Sequence, residues 1–235
     1  MAKLLNNGNA KTRKGEKLGW ITYGLHLAPY NLAGANVCAH ASAGCAAACL
    51  NTAGRGAMSN VQQARIAKTK KFFADKDAFV WQLAKEITSS IKSAHKKGMK
   101  ACFRLNLTSD LPWENIKVES NGKKLSLMEM FPEVQFYDYT KSFKRAKAFA
   151  DGEMPSNYHL TFSRSENNDS FCDILGQLGV NIAAVFRGSL PESYKSTQVV
   201  DGDETDLRFL DGANKIVGLV EKGLAKKDES GFVIG

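Results

Sequence analysis

Short apolar or alternating runs recur along most of the chain, with polar stretches between them. In the run KACFRLNL hydrophobic and polar residues alternate, and this period of two is typical of a strand whose two faces meet different surroundings. Further runs of this kind appear later in the chain, and polar residues follow most of them. The pattern predicts six strands, over 19–27, 100–107, 134–139, 157–163, 180–186 and 215–220.

Helix-like segments lie between many of these strands. Phe79, Leu83 and Ile87 stand four positions apart, so one face of a helix holds all three. Strands that alternate with helices are typical of βαβ units and of a mainly parallel sheet. We therefore expect an α/β fold, an open or partial (β/α) barrel of about six units, as a single domain over residues 18–235. The predicted helices span 59–74, 76–97, 125–131, 141–150 and 169–178.

The first 17 residues are polar and basic, and they predict a flexible arm ahead of that domain. This segment lacks the apolar core of a secretory signal, and no apolar run reaches the roughly 18 residues that span a bilayer. We expect a cytoplasmic protein with no membrane partner. The net charge of +8 permits a nucleic-acid partner, although Lys68, Lys70 and Lys71 equally fit a solvated helix face.

Polar side chains gather where the predicted strands end, the edge on which barrel enzymes build their active sites. Cationic side chains that meet there need carboxylates or a bound anion beside them. We therefore expect a pocket that recognises a small anionic molecule. The alternative is a structural network in which Asp203, Asp206 and Arg208 staple the last strand. The predicted ligand-binding residues are Arg104, Asn106, Ser109, Asp110, Lys141, Ser163, Arg164, Ser165, Arg187, Asp201 and Asp203.

Five cysteines, three of them within twelve residues, indicate a metal centre. An odd number of cysteines in a cytoplasmic chain argues against a disulfide framework. Cys38, Cys45 and Cys49 form a C-x6-C-x3-C pattern in a loop over residues 34–55. One helical turn would place the last two thiols on the same face. Three thiolates without a matching second pair best fit a [4Fe-4S] cluster with one differentiated iron.

Other interpretations of the cysteines stay open. Zinc usually takes four ligands, and His40 would complete a Cys3His zinc site. The three cysteines would otherwise be structural thiols in an Ala-rich turn. Cys172 lies in a helical, apolar stretch, so we expect it to be a core residue. Cys102 is expected to be either a core residue or the fourth ligand of the cluster.

Seven segments form a specific combination: GLHLAPYNLAGANVCAHASAGCAAACLNTAGRG (24–56), ARIAKT (64–69), RLNLTSDLPWE (104–114), FYDYTK (136–141), NYHLTFSRSE (157–166), VVDGDETDLRFLDG (199–212) and VGLVEKG (217–223). Together they resemble the "gene product 88" proteins of bacteriophages, over roughly residues 20–234. The resemblance implies a phage origin, and hence the cytoplasm of an infected host cell. It also implies the triple cysteine, but no established reaction.

The chain is more distantly similar to radical S-adenosylmethionine enzymes, which combine a partial (β/α) barrel with three cysteines after the first strand. That similarity implies a [4Fe-4S] cluster whose free iron binds S-adenosylmethionine. The usual C-x3-C-x2-C spacing differs from the pattern here, and no Gly-Gly-Glu stretch follows the second strand. The cluster prediction therefore rests on the cysteines, and the cosubstrate rests on the similarity alone.

Three functions follow from these patterns. The first is a phage-encoded [4Fe-4S] protein with an anion pocket beside the cluster, which becomes a radical-type enzyme if the cosubstrate binds. The second is a nucleic-acid-associated iron–sulfur protein of phage replication or repair, supported by the net charge and the basic arm. The third is a zinc-stabilised binding module without catalysis.

Overall fold

The computed structural model describes residues 2–7 and 11–235, which form a ten-stranded, mostly parallel sheet and a separate two-stranded hairpin. The central strands are rich in β-branched and aromatic residues, which suit strands covered on both faces. In chain order the strands are β1 (Leu5–Asn6), β2 (Trp20–Leu25), β3 (Lys100–Arg104), β4 (Val118–Ser120), β5 (Lys123–Leu125), β6 (Gln135–Thr140), β7 (Tyr158–Ser163), β8 (Ile182–Phe186), β9 (Ser193–Tyr194), β10 (Thr197–Asp201), β11 (Ile216–Val220) and β12 (Val233–Ile234).

Helices connect most of the parallel strands, close to the predicted positions. Short 3-10 turns lie between them, and in the described part of the chain no helix is both long enough and apolar enough to cross a membrane. The α-helices are α1 (Ala43–Ala47), α2 (Ser59–Ala74), α3 (Lys76–His95), α4 (Leu127–Met130), α5 (Phe143–Ala150) and α6 (Asp169–Gln177).

The strand order confirms the α/β prediction but not the barrel. The sheet runs β1-β2-β3-β6-β7-β8-β11-β10-β9, and every neighbouring pair from β2 to β10 is parallel. The six predicted strands are β2, β3, β6, β7, β8 and β11, which are consecutive in this order. Within residues 2–7 and 11–235, the edge strands β1 and β9 do not pair with each other, so the sheet is not a closed barrel. A barrel like that of radical S-adenosylmethionine enzymes is therefore not confirmed.

The last strand, β12, places the C-terminal segment at the C-terminal edge of the sheet, by which we mean the side where the parallel strands end. β8 pairs with β7 through Ile182 and Ala183, near its start. Farther along, Val185 and Phe186 of β8 pair with β12 instead. The C-terminal segment therefore lies beside the loop that follows β7.

The two faces of the sheet bury different side chains, as the alternation in β3 predicts. The three apolar residues at fourfold spacing on α3 are fully buried in the main core, together with Phe103. Cys102 lies in a separate small cluster with Tyr137 and Leu207. The chain segment after β10 supplies Leu207, so it covers the face opposite α3.

The described part of the first 17 residues is not a loose arm, which corrects the prediction. Leu4 and Leu5 are each 1% exposed, and β1 pairs with β2. The carboxylate of Glu86 accepts the backbone N–H groups of both leucines at 2.8–3.0 Å. The two adjacent leucines are buried because β1 can pair with the free edge of β2, although the neighbouring residues are basic. Met1 and residues 8–10 of the predicted arm lie outside the described residues.

Candidate functional site at the cysteine loop

The cysteine loop, residues 34–55, crosses the C-terminal edge of the sheet. Cys38 follows Val37, which is 1% exposed and whose carbonyl accepts the backbone N–H of Asp110 at 2.8 Å. The Cys38 sulfur lies 3.8 Å from the carbonyl oxygen of Thr108. Both contacts are with the loop that follows β3. The first cysteine is therefore held at the edge where the sequence predicts the site.

The second cysteine stands on α1, and Glu166 after β7 fixes the start of this helix. Ser42 caps α1 by accepting the N–H of Cys45 at 3.2 Å. The Glu166 carboxylate accepts the Ser42 hydroxyl at 2.7 Å and the Gly44 N–H at 2.8 Å. Burial acts to raise the pKa of Glu166, but these hydrogen bonds outweigh it and the pKa is lowered. A Cβ at Gly44 would lie 2.2 Å from Ser230 Oγ, so glycine permits this close packing.

The third cysteine does not share a helix with Cys45, contrary to the prediction. Helix α1 ends at Ala47, and Cys49 precedes a new 3-10 turn. Burial raises the pKa of the Cys49 thiol and the charge of Cys45 adds to this, whereas Arg65 and Lys141 lower it. Two cations from α2 and from the end of β6 therefore lie close to this thiol.

The three thiols are close enough for their charges to interact. All three are half-buried. Burial raises the pKa of Cys38 to about 11, and negative charges on Cys49, Asp110 and Cys45 contribute to the increase. Thiolates held this close repel one another, and a metal cation would offset that repulsion and displace their protons.

Arg65 is a buried cation that sequence reasoning missed. The residue is 9% exposed, and no salt bridge among the described residues includes it. Its guanidinium donates to the Asn51 side chain, while its Nε has no hydrogen-bond partner. Burial lowers the pKa of Arg65, and the Cys49 charge raises it. Within the segment ARIAKT this arginine resembles the solvated cations of α2, so no sequence signal distinguishes it.

The side chains as they are placed do not form a coordination sphere. Among the described residues, no three His, Cys, Asp or Glu side chains are grouped closely enough to hold a metal ion. His40, the fourth ligand of the zinc alternative, is exposed. Thiols are the ligand type that an iron–sulfur cluster requires, but in this arrangement the three cysteines do not converge on one centre. Coordination requires their sulfur atoms to turn toward one point.

The predicted pocket residues after β3 mainly hold their own loop. Asn106 is 3% exposed, and its side-chain oxygen accepts the Ser109 hydroxyl at 2.8 Å and the Leu111 N–H at 2.9 Å. Its amide nitrogen donates to the carbonyl of Leu111 at 2.9 Å. These bonds hold the turn that contacts Cys38, so Asn106 and Ser109 stabilise the surroundings of the site.

Asp110, Lys141 and Ser163 join three strand ends beside the cysteines. The Asp110 carboxylate accepts the backbone N–H of Lys141 at 2.8 Å and the Arg145 guanidinium at 2.6 Å. The Lys141 ammonium donates to the Ser163 hydroxyl at 2.7 Å. The structure therefore does bring part of the predicted pocket together, next to Cys49.

Arg104 lies on the face opposite α3, in what we call the Asp206 cluster: Lys11, Arg104, Tyr137 and Asp206. Both Asp206 oxygens lie 3.0 Å from Arg104 Nη1, the Tyr137 hydroxyl donates at 3.0 Å, and Lys11 Nζ is 3.4 Å away. Lys11 also lies 3.9 Å from Asp203, whose N–H donates to Asp201. Arg104 is thus paired with Asp206, a residue of the structural alternative, and does not join the cysteines; Arg208 of that alternative pairs with Asp211.

The remaining predicted residues bind other parts of the protein. Arg164 donates to the carbonyls of Gly231 and Phe232, and Arg187 donates to those of Lys226 and Asp228. These two arginines fasten the C-terminal segment.

Ser165 donates its N–H to the Asn168 side chain at 2.7 Å and so shapes the start of α6. The eleven predicted residues are therefore divided among several contacts and do not line a single pocket.

Fold and site together define an α/β protein with a mostly parallel sheet and a three-cysteine loop across its C-terminal edge. A sequence model of the family described as Gene product 88 matches residues 3–235, nearly the whole chain. The chain belongs to the Gene product 88 family, which confirms the resemblance in its sequence segments.

No curated protein and no solved structure matches the chain. The distant similarity to radical S-adenosylmethionine enzymes is therefore not supported, and family membership itself specifies no reaction.

Proposed function

We propose that the cysteine loop binds a [4Fe-4S] cluster, with Cys38, Cys45 and Cys49 as ligands of three of its irons. The observation that supports this most is the burial of Arg65, whose charge acts on Cys49 and which has no carboxylate partner among the described residues. A buried cation is stable only beside a compensating negative charge. Cluster-bound thiolates supply that charge.

The donor set suits iron and sulfide. Thiolates are the usual ligands of iron–sulfur clusters, and three of them leave one iron open to another ligand. A cluster held by three thiolates has a net negative charge, which Arg65 and Lys141 stabilise from two sides. In this proposal the cluster itself is the anion that the polar residues near Cys49 bind.

The residues that follow Cys45 leave space around its side chain. Ala46 and Ala47 are small and exposed, so no bulky side chain from these two positions obstructs a rotation of the Cys45 sulfur. Glu166 holds the start of α1, so we assign it as a positioning residue that keeps Cys45 at the edge of the sheet. Binding of S-adenosylmethionine, or of a small anion, to the open iron stays a prediction from the sequence.

The ligand assignment is tested by single Cys→Ala variants, reconstituted anaerobically with iron and sulfide. We expect Cys38→Ala, Cys45→Ala and Cys49→Ala each to lower bound iron to background. Cys172→Ala is the matched control, because Cys172 is a buried core residue of α6 and its replacement should leave bound iron unchanged. Parent-like iron in all three loop variants, or its loss in the control, would overturn the assignment.

A further inference from the structure

We propose that the edge of the sheet opposite the cysteines binds the phosphate backbone of a nucleic acid, without selecting its sequence. This edge is formed by two chain segments that are distant in sequence, the 3-10 helix Thr12–Leu18 and the end of α3 with the start of β3. We call its exposed cations the basic edge: Arg13, Lys17, Lys92, Lys96, Lys97 and Lys100.

The fold itself holds the two segments together. The backbone N–H of Lys100 donates to the carbonyl of Gly19 at 2.8 Å, where the 3-10 helix ends. Burial raises the pKa of Tyr23, and both Ser93 of α3 and Glu16 of the 3-10 helix lie close enough to its hydroxyl to affect that pKa. The Lys14 ammonium also donates to the carbonyl of Asp203 at 2.6 Å. The cations therefore stand on a fixed surface.

Negative charge is scarce on the part of this surface that α3 and β3 form. Residues 87–100 contain four lysines and no acidic residue. In the described part of the chain, the one salt bridge that includes a basic-edge residue joins Arg13 Nε and Glu16 Oε1, 3.9 Å apart. Some lysines elsewhere, such as Lys117 and Lys147, lie within 3.0 Å of a carboxylate. The basic edge thus differs from an ordinary solvated face, on which both signs alternate.

The end of α3 explains only part of this charge. A helix C-terminus favours cations in its last turn, and this accounts for Lys92 and Lys96. Lys97 directly follows this helix end and can share the effect, whereas Arg13, Lys17 and Lys100 belong to other elements and are not explained by the helix dipole. Since like charges repel when they are grouped, a polyanion that neutralises them is the fitting partner.

A nucleic acid fits this edge better than a membrane surface. Membrane-binding faces place several large apolar residues in the bilayer. Within the two segments, all of whose residues the structure describes, a single large hydrophobic side chain is exposed, that of Leu18 at 54%. Among the described residues of the two segments, no aromatic ring is strongly exposed. Trp20 is half-buried and packs against Phe209, so we do not expect bases to stack on it. Contacts to phosphates alone give affinity without sequence preference.

The test compares two variants with the same change in charge. Lys96→Gln/Lys97→Gln alters the basic edge, and Lys123→Gln/Lys124→Gln alters adjacent exposed lysines on the β4–β5 hairpin. Binding of a short fluorescent DNA duplex is measured by anisotropy between about 50 and about 200 mM salt. We expect parent and hairpin variant to bind equally. The basic-edge variant should bind more weakly, with the salt slope reduced by about two.

Several outcomes would overturn the proposal. It fails if the parent shows no salt-dependent binding, or if both variants weaken binding equally. Binding to anionic vesicles without binding to DNA or RNA would make the partner a membrane. Iron content, which depends on the opposite edge, should be the same in all three proteins, so the outcome is independent of the cluster proposal.

Discussion

The cysteine loop and the Asp206 cluster both gather ionisable side chains against the same sheet, but their charges are balanced differently. In the Asp206 cluster a fully buried carboxylate meets Arg104, Lys11 and a tyrosine hydroxyl. At the cysteine loop, burial and then the charges of neighbouring thiols raise the pKa of Cys38 and of Cys49, and in the described part of the chain the buried guanidinium of Arg65 has no carboxylate partner. A carboxylate in contact with each cation is typical of a structural network, whereas a buried cation without a carboxylate indicates a binding site.

The largest effect that follows from this difference is on stability. Asp206→Asn leaves Arg104 and Lys11 without their buried partner, and we expect a loss of about 3 kcal/mol or more in the free energy of unfolding. Asp203→Asn is the matched control; its carboxylate is 22% exposed and pairs with the exposed Lys222, so the loss should be about 1 kcal/mol or less. Urea denaturation measures both. Equal losses would show that the Asp206 cluster is no more structural than a surface pair.

A buried carboxyl in β6 predicts a smaller, pH-dependent effect. Burial raises the pKa of Asp138 from 3.8 to about 7, while Arg104 and the Asn106 N–H act to lower it. The folded state therefore binds this proton more tightly than the unfolded state, so the contribution of Asp138 to stability falls from pH 3.8 to about pH 7 and is constant above. Urea midpoints of parent and Asp138→Asn should converge or cross within this window. A constant difference would contradict the shift.

Prediction from sequence succeeded where the signal is local. Alternation and helical spacing located the six parallel strands, the faces of β3 and the long helices, because each pattern lies within one element. Pairing over long distances was not accessible. Arg104 and Asp206 are 102 residues apart, and Asp206 lies in a segment that contains several carboxylates. No spacing rule selects one of them, so the predicted pocket combined residues that the fold separates.

Arg65→Gln should have the smallest effect on stability, and it distinguishes the cysteine loop from the Asp206 cluster most clearly. Arg65→Gln removes a buried cation that has no carboxylate partner among the described residues, together with its hydrogen bond to Asn51; these two changes oppose each other, so the unfolding free energy of the metal-free protein should change by about 1 kcal/mol or less. The loaded protein should lose stabilising charge, seen as lower iron retention and a more negative reduction potential. Lys70→Gln, an exposed change on the same helix, is the control. Unchanged iron retention and potential in Arg65→Gln would remove Arg65 from the site.

The identity of the bound metal tests the central claim most directly. The parent protein is purified without oxygen, and its iron, sulfide and zinc are counted, with an electron paramagnetic resonance spectrum after reduction. We predict about four irons and about four sulfides per chain, with the signal of a reduced [4Fe-4S] cluster. Stoichiometric zinc without iron, both as isolated and after reconstitution with iron and sulfide, would contradict the proposal.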